Sequence, residues 1–441
     1  MKKWLGVLFA LILAVGVLAA CGPDNNNEEE NNNANNSEAD NSNNSNESAA
    51  NNDTEDAEKP EKLIVWEDQD KGPALKDAAE KFEEEYGIEI EYLEYNITEM
   101  QENMALDGNT DNAPDVVTMS HDGVGPSVVK GYIEPLEVSD DVLDQYTESS
   151  VEAFEYDDQL YGLPKATETT VFIYNKELLP EVPETMDDVY ELSEEAVEDG
   201  EHGFLAIWDD FYHSYGVFNG FGGYVFGDDD DVSDVGLDND ESVEALEYIS
   251  KWYDEELFPS GIVGEKSNDQ MNGLFKEGKA FAVQNGPWAF TDYEEAGIDI
   301  GIAPMPVLPN GEPVGTYMGV KGWFVTSFTD NKEWSQKFVE FVSNEENSKV
   351  RYDLTGEIPP LVSLLEDDEW VSSNEGAAAV MEQSKDAVAM PSIPEMAEVW
   401  DPVATAVQTV ATGKSDPKEA LETAVQLIKD NIEMNHGGSS D

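Results

Sequence analysis

An alternation of short apolar runs and amphipathic helical segments constrains the fold of this chain more than any other feature. A continuous apolar run at 63–66 is typical of a buried strand. Residues 73–87 place apolar side chains on one helical face, between an opening proline and a closing glycine. Residues 88–93 alternate, and 114–119 form the next strand candidate. This order predicts an α/β fold with a mostly parallel sheet flanked by helices.

An export signal precedes the folded part. The uncharged apolar run 4–20 follows two lysines and is shorter than a spanning helix of about 20 residues. It ends in Leu-Ala-Ala-Cys at 18–21, which resembles the lipobox of bacterial lipoproteins, and Cys21 is the only cysteine. We therefore expect cleavage after residues 1–20 and a lipid on Cys21 that anchors the protein at the extracellular face of the cytoplasmic membrane. An ordinary signal peptide with a chance cysteine is the alternative.

An acidic, Asn-rich tether follows the cysteine. Residues 22–60 contain 14 Asn and 11 acidic residues against one Lys. They cannot bury enough apolar surface to offset the chain entropy of folding. We expect segment 21–60, which includes the lipidated cysteine, and the tail 437–441 to be disordered.

Acidic residues also dominate the folded part. The chain has 97 acidic and 23 basic residues and a formal charge of −74. Residues 61–441 hold 86 of the acids and 20 of the bases, a net charge of −66. Because phosphate binding needs clustered Lys and Arg, this argues against nucleic acid and against docking to anionic lipid headgroups. Such self-repulsion destabilises a compact state unless salt screens it, so we expect an organism living at high salt or alkaline pH.

Signals for catalysis and metal binding are weak. The histidines do not occur at the spacings typical of metal ligands. They are His121, His202, His213 and His436. The acidic run 228–231 lacks the spacing of a helix-loop-helix calcium loop. One cysteine excludes an intrachain disulfide and a cysteine-based zinc site. We predict no cofactor and no metal, although so many carboxylates leave a two-carboxylate glycosidase open.

Aromatic residues at turns carry the strongest functional signal. Trp288 follows a Gly-Pro turn, the loop 391–396 leads to Trp400, and 208–212 mixes rings with acids. Sugars present an apolar face and an edge of hydroxyl groups, so a sugar site combines flat rings with carboxylates and amides. The pattern therefore indicates a carbohydrate site, with burial of these rings in the core as the alternative.

Several motifs link this pattern to a known family. The narrowest are Asp70-Lys71-Gly72, Asn285-Gly286-Pro287-Trp288 and Met390-Pro391-Ser392-Ile393-Pro394. They accompany Lys62–Trp66, Ala113–Val117 with His121-Asp122, Ile173–Pro180 and Phe275–Ala280. In these motifs, from Lys62 to about Glu433, the chain resembles the maltose/maltodextrin-binding proteins of ABC importers.

The resemblance implies a two-lobed periplasmic-binding-protein-like fold of type II, with central mixed sheets flanked by helices and a ligand cleft between the lobes. The lobes would comprise 61–167 with 320–357 (lobe 1) and 171–317 with 361–436 (lobe 2). Rotation at the crossings near 167–171, 317–322 and 357–361 would close the cleft on maltodextrin and present a lobe surface to the membrane subunits of an ABC permease. This implies a binding protein rather than an enzyme, and we expect a monomer.

The family's sugar contacts carry over to nine positions. The hydroxyl-binding residues would be Asp70, Lys71, Asp122, Glu168 and Asp210. The stacking and apolar contacts would be Tyr212, Trp288, Trp400 and Met390.

Three positions depart from the family's pattern. Asp210 replaces a glutamate, which shortens its reach. Met119 stands where a member of the family has tryptophan, and Gly123 where it has arginine. Both weaken contact with a disaccharide, which favours longer linear or cyclic dextrins over maltose. The alternatives are a same-fold binding protein for cyclodextrin, another oligosaccharide or a polyol, and a secreted glycoside hydrolase.

Overall fold

Strands sort into two principal sheets in the computed structural model, which describes residues 58–108 and 110–437. The predicted signal peptide, Cys21, the tether up to residue 57 and the tail from residue 438 lie outside the described residues. The strands are β1 (Lys62–Asp68), β2 (Glu89–Tyr95), β3 (Val116–Ser120), β4 (Glu155–Tyr156), β5 (Gln159–Leu160), β6 (Gly162–Glu168), β7 (Val171–Asn175), β8 (His202–Leu205), β9 (Phe226–Gly227), β10 (Asp231–Val235), β11 (Ala280–Asn285), β12 (Ile300–Ala303), β13 (Tyr317–Val325) and β14 (Val388–Ala389).

Helices cover the sheets and connect the strands. They are α1 (Gly72–Tyr86), α2 (Met100–Asp107), α3 (Val124–Val129), α4 (Asp140–Leu143), α5 (Glu148–Glu152), α6 (Met186–Glu198), α7 (Phe211–Phe221), α8 (Asp240–Asp254), α9 (Ser267–Lys276), α10 (Phe290–Glu295), α11 (Lys332–Val342), α12 (Glu345–Thr355), α13 (Val362–Leu365), α14 (Asp368–Ser373), α15 (Glu375–Gln383), α16 (Trp400–Ala411) and α17 (Pro417–Asn435). Helix α1 carries proline in its first turn, and Gly87 ends it in the left-handed conformation at φ 64°, which confirms the predicted helix at 73–87.

The first sheet has the strand order β14-β13-β3-β1-β2, and β6 also pairs with β13. Strand β1 runs parallel to β2 and β3, as the alternating pattern predicts. Strand β13 pairs parallel with β14 but antiparallel with β3 and β6. Three of the five pairings in this sheet are therefore parallel, and the prediction of a mostly parallel sheet holds for this half. The chain leaves this sheet through β6 and returns to it through β13, and these two strands therefore point in opposite directions.

The second sheet has the order β12-β7-β11-β8. Strand β7 enters it directly from β6 and pairs antiparallel with both β11 and β12, whereas β8 is parallel to β11. The prediction of a mostly parallel sheet is wrong for this half, because two of its three pairings are antiparallel. Both principal sheets are thus mixed, as the family resemblance implied.

Crossing segments lie side by side where the two sheets meet. The hydroxyls of Thr169 and Thr316 are 2.6 Å apart, and the Thr169 hydroxyl also donates to the carbonyl of Tyr317 at 2.8 Å. The backbone N–H of Thr167 donates to the carbonyl of Ile358 at 2.8 Å. The crossing from β6 to β7 is therefore bonded to both of the other segments predicted as hinges. The lobe boundaries themselves remain a prediction.

Apolar side chains bury the first sheet on both faces. Leu63 and Val65 of β1 join the core that contains Trp323 and Phe338, and Trp66 belongs to a separate core on the opposite face. This double burial explains why β1 is a continuous apolar run. Among the described residues, no helix is both long and apolar enough to cross a membrane.

Candidate functional site

Three of the predicted sugar contacts belong to one cluster of aromatic rings. The ring centroids of Tyr212 and Trp288 are 6.1 Å apart. Tyr317, in the crossing that opens β13, lies 6.3 Å from Tyr212 and 6.2 Å from Trp400. Tyr212, Trp288 and Trp400 are each half-buried. The cluster therefore retains accessible aromatic surface, and these rings are not fully packed into the core.

Trp288 lies at the end of β11, on a turn of 3₁₀ helix that begins at Pro287. Its ring folds back over Gly286, since a Cβ on Gly286 would lie 2.1 Å from the indole. Asn285 supports the turn, because its side-chain carbonyl accepts from the backbone N–H of Gly286 at 2.9 Å. The Asn-Gly-Pro-Trp motif therefore places the indole and leaves no room for a side chain beneath it.

Asp210 caps the N-terminus of α7. Its Oδ1 accepts from the backbone N–H of Tyr212 at 2.9 Å and lies 3.5 Å from Nδ1 of His213. Burial acts to raise the pKa of Asp210, but the His213 side chain and these backbone donors hold that pKa below its ordinary value. The carboxylate stays ionised at neutral pH, and about half of its side chain is exposed at 51%. It is thus a ready acceptor for hydroxyl groups.

Tyr212 joins groups of the two sheets. Its hydroxyl oxygen is buried and has no hydrogen-bond partner among the described residues. Burial raises the pKa of Tyr212 well above its ordinary value, and the nearby carboxylates of Glu168, Asp210 and Asp122 raise it further. Because Glu168 ends β6 and Asp122 follows β3 of the first sheet, these carboxylates and the α7 residues face one shared region. An unpaired buried hydroxyl there is a candidate donor to a ligand.

Glu168 ends β6 at the first crossing. Its Oε2 lies 2.9 Å from Nζ of Lys321, and the side chain is largely buried. Burial raises the pKa of Glu168, and Lys321 opposes that rise.

Asp122 sits in the 3₁₀ turn His121–Gly123 that follows β3. Burial raises the pKa of Asp122 and lowers that of His121. The ring Nδ1 of His121 accepts from the backbone N–H of Val320 at 3.2 Å, and the ring also hydrogen-bonds the backbone of Met390. Met390 is buried directly after β14. The turn therefore ties Asp122 and Met390 to the crossing strand β13.

Asp70 and Lys71 have fewer contacts with the other predicted sugar-binding residues. Asp70 is exposed at φ 64°, and its described hydrogen bond comes from the neighbouring Gln69 at 3.4 Å. Lys71 is the N-cap residue of α1 and is close enough to Glu357 to lower the pKa of that carboxyl. Of the nine predicted contacts, Asp70 is the one that no described contact connects to the others.

Two of the positions that depart from the family's pattern have close neighbours in the structure. Met119 is buried in the core behind Trp66, next to the hydroxyl of Ser127. A Cβ on Gly123 would lie 2.9 Å from Nε2 of Gln101, so the Gln101 amide occupies the space beside this glycine. Among the described residues, no group of three or more His, Cys, Asp or Glu side chains is placed to hold a metal ion.

Comparison with known proteins identifies the family. A family model described as bacterial extracellular solute-binding protein matches residues 77–379. The chain belongs to this family. As a solute-binding protein, it is similar to the galactooligosaccharide-binding protein of Bacillus subtilis (strain 168), with 39% identity over 438 residues, 98% of each chain. It is also similar to the maltodextrin-binding protein MdxE of the same organism, with 36% identity over 360 residues, 80% of this chain and 85% of the other.

Solved structures agree with the two-lobed fold expected from the sequence. The structure of MalX from Streptococcus pneumoniae in complex with maltopentaose matches with a TM-score of 0.78 and 32% identity. The match covers 84% of this chain and all of the other. Both the family resemblance and the fold class are therefore confirmed.

A buried ionic network that includes the candidate site residue Glu168 was not predicted from the sequence. Its carboxylates are Glu67, Asp68, Glu168 and Glu357, and its cations are Lys165, Lys321 and Arg351. Lys165 bonds Glu67 at 2.7 Å, and Arg351 bonds Glu357 at 3.0 Å. One available signal was Lys321, a lysine inside the otherwise apolar strand β13; another was Arg351, the only arginine.

Proposed function

We propose that the protein captures α-1,4-linked glucose oligosaccharides outside the cell and delivers them to the membrane subunits of an ABC importer. One observation carries this proposal: the half-buried rings of Tyr212, Trp288 and Trp400 form a cluster beside the carboxylates of Asp210 and Glu168. Flat rings suit the apolar faces of glucose units, and ionised carboxylates suit their hydroxyl edges. The names of the maltodextrin-binding relatives support the same substrate class.

Each side of the site has its own role in this proposal. Trp288 and Trp400 stack on sugar rings, while the Tyr212 hydroxyl donates to a sugar oxygen. Asp210 and Glu168 accept from sugar hydroxyls. Further contacts come from Asp70, Lys71, Asp122 and Met390.

Transport follows from hinged closure. Sugar that touches both lobes favours the closed state by its differential affinity for that state. In this proposal the lobes are 61–167 with 320–357 and 171–317 with 361–436, and they rotate about the three crossings. The closed form then docks on the permease. We further propose that a lipid on Cys21 holds the protein, as a monomer, at the extracellular face of the cytoplasmic membrane.

Galactose oligosaccharides are a second candidate substrate class. The relative with 39% identity over 98% of the chain is named a galactooligosaccharide-binding protein. Galactose differs from glucose in the orientation of one hydroxyl, so the same rings serve either sugar and the carboxylates decide between them. Asp210 has a shorter side chain than the glutamate of the family, so it reaches a different hydroxyl position. Binding measurements with both sugars therefore distinguish glucose from galactose oligosaccharides as the substrate.

Calorimetric titration of the purified protein with a panel of sugars tests the proposal. The panel is maltopentaose, maltose, a cyclodextrin, a β-1,4-linked galactotetraose, xylobiose and a polyol. We expect maltopentaose to bind at least tenfold more tightly than galactotetraose or xylobiose, and the polyol not to bind. The reverse order for galactotetraose supports the second candidate. No binding of any member contradicts a carbohydrate site.

Chromatography of the same mixtures tests whether the protein acts only by binding. We expect maltopentaose to be recovered intact after incubation with substoichiometric protein. Shorter dextrins in the mixture would contradict this and support the hydrolase alternative.

A further inference from the structure

Lys321 occupies an unusual position for a lysine. It lies in the middle of β13, between β3 and β6, where it pairs in register with Ser120 and Ala166. The residue is only 4% exposed. A buried ammonium is costly unless charged partners compensate it. Its surroundings therefore indicate what it does.

Three carboxylates surround the Lys321 ammonium. Its Nζ is 2.9 Å from Glu168, 3.8 Å from Glu357 and 3.9 Å from Asp68. Glu168 lies at the first crossing, Lys321 in the second crossing strand and Glu357 at the third crossing. One ammonium thus contacts all three segments about which the lobes are proposed to rotate.

Other cations of the network are engaged elsewhere. Lys165 bonds Glu67 at 2.7 Å, and Arg351 contacts both Glu67 and Glu357, at 2.5 Å and 3.0 Å. In the part of the chain that the structure describes, the ion pair of Glu168 is formed by Lys321. The position and ionisation of Glu168 therefore depend on Lys321 more than on Lys165 or Arg351.

Lys321 also reaches the aromatic side of the site. Its Nζ lies 5.6 Å from the centroid of the Trp288 ring, within the range of a cation–π contact. Trp288 belongs to the loop that follows β11 of the second sheet. The same ammonium therefore contacts a proposed hydroxyl acceptor on one side of the site and a proposed stacking ring on the other.

We propose that Lys321 is a positioning residue for sugar binding, which holds the Glu168 carboxylate and the Trp288 ring in their binding arrangement across the two sheets. This inference rests on the proposed function and assigns a role to a residue that does not itself touch the sugar. Lys321 compensates the charge of Glu168 and fixes the direction of its oxygens, so that fewer orientations are lost when a sugar binds.

The charges around Glu168 predict how binding changes with pH. The groups that face it are Lys321 and Gly319 of β13, Asp68 of β1, Glu357 after α12 and Tyr212 of α7. Burial, Asp68 and Glu357 raise the pKa of Glu168, and Lys321 opposes them. Without Lys321 the carboxyl loses the cation that lowers its pKa and keeps the effects of burial, Asp68 and Glu357, which raise it. Loss of affinity on acidification therefore moves to higher pH when Lys321 is removed.

A double-mutant cycle tests the proposal. Calorimetry with maltopentaose is performed between pH 5 and 9 on the wild type and on Lys321→Met, Glu168→Gln and the double variant. We expect each single variant to lose about tenfold in affinity at pH 7, and the double variant to lose less than the product of the two single losses. We also expect the acid limb of Lys321→Met to move up by about one to three pH units, and the part of the limb that Glu168 causes to be absent in Glu168→Gln.

Lys165→Met is the matched control. Lys165 is buried in the same network but contacts Glu67 and Glu357 rather than Glu168. We expect it to lower the melting temperature while the acid limb of binding stays at the wild-type pH. An equal shift in both lysine variants, or losses that multiply in the double variant, would overturn the positioning role.

Free protein provides a second measurement, which does not need the Lys321→Met variant to fold. Carboxyl ¹³C resonances of labelled glutamate are titrated in the wild type, in Lys321→Arg and in Glu168→Gln, which assigns Glu168. We expect the arginine variant to keep the wild-type titration midpoint because it keeps a cation beside Glu168. A wild-type Glu168 that titrates like an exposed glutamate would overturn the proposal. If no sugar binds the wild type, the proposed function fails, and this titration still decides the contact.

Discussion

At the scale of single residues, the site depends on side chains held by very close neighbours. The indole of Trp288 lies directly over Gly286, and the Asp210 carboxylate is held by a backbone donor and by His213. Such contacts fix ring and carboxylate positions before a sugar arrives. We therefore expect sugar affinity to be sensitive to small changes beneath the proposed contact residues as well as to the contacts themselves.

Replacing Gly286 with alanine tests the support of Trp288. An added Cβ would lie 2.1 Å from the ring, so the indole must move. The backbone of Gly286, at φ −114°, accepts any residue, so we expect the variant to fold. Maltopentaose affinity should fall about tenfold or more in calorimetry, since a displaced ring no longer stacks.

Gly273→Ala in α9 is the control for this variant. A Cβ there meets nothing within 4 Å. We expect unchanged affinity and a gain in stability of about 0.5–1 kcal/mol, because alanine is favoured over glycine inside a helix. Wild-type affinity in Gly286→Ala would show that the ring position is unimportant.

Some site residues were predictable from local sequence, and others were not. A tryptophan after Gly-Pro and an aspartate before a helix are local patterns, and the structure places Trp288 and Asp210 at such a turn and such a cap. Lys321 acquires its role from partners 153 residues before it and 36 residues after it, Glu168 and Glu357. No local pattern encodes contacts over such separations, so the ionic network emerged only from the fold.

At the scale of elements, the start of α7 serves both the helix and the site. Asp210 is the N-cap residue of α7, and Tyr212 lies in the first turn of the helix. The capping interaction thus orients two proposed sugar contacts. Similarly, β13 carries Tyr317 and Lys321 through the crossing. The alternating pattern predicted the strands, but not their antiparallel pairing, because that depends on how the chain passes between the sheets.

Asp210→Ala separates the capping role from the binding role. We expect it to cost about 1 kcal/mol of unfolding free energy, measured by urea denaturation, because one orphan donor of α7 loses its acceptor. It should also lower maltopentaose affinity. Asn239→Ala is the matched control, since Asn239 caps α8 through the backbone N–H of Ser242. We expect a similar loss of stability there and no change in affinity; an equal affinity loss in both variants would refute the binding role of Asp210.

Arg351→Met tests the ionic network as a structural element. The variant leaves Glu67 and Glu357 with fewer partners in a buried site. We therefore expect the free energy of unfolding to fall by about 3–5 kcal/mol at pH 7. Burial acts to raise the pKa of Glu357, yet the nearby cations hold it well below its usual range. A depressed folded-state pKa stabilises the protein above the unfolded pKa of about 4.3, and this contribution is lost as the pH falls.

The difference between wild type and Arg351→Met should therefore shrink below about pH 4. Denaturation at several pH values measures this. Lys332→Met removes the exposed pair with Glu134 and should leave stability nearly unchanged. A difference in unfolding free energy between wild type and Arg351→Met that stays constant down to acidic pH would contradict a network of ionised carboxylates.

At the scale of the whole molecule, acidity is the dominant property. Residues 61–441 carry 86 acidic and 20 basic residues, and many of the ion pairs lie at the surface, for example Lys76 with Glu80 and Lys176 with Glu375. Because the acidic residues far outnumber the basic ones, the net interaction among the surface charges is repulsive. We propose that the protein is adapted to a medium that screens this repulsion.

Melting the protein across a salt series tests this adaptation. We expect the melting temperature to rise from low to molar sodium chloride, because added ions shorten the range of repulsion between surface carboxylates from about 30 Å at 0.01 M to about 3 Å at 1 M. A non-charged osmolyte series separates screening from general compaction. A melting temperature that is flat in salt would remove the proposal.

The central claim is that half-buried indole rings bind an oligosaccharide between the two lobes. Calorimetric titration of maltopentaose into Trp288→Ala, Trp400→Ala and the control Trp370→Ala tests it most directly. Trp370 packs against Tyr352, outside the aromatic cluster. We expect at least a tenfold loss in each site variant, about 1.4 kcal/mol, and wild-type affinity in the control. Wild-type affinity in both Trp288→Ala and Trp400→Ala would contradict the account.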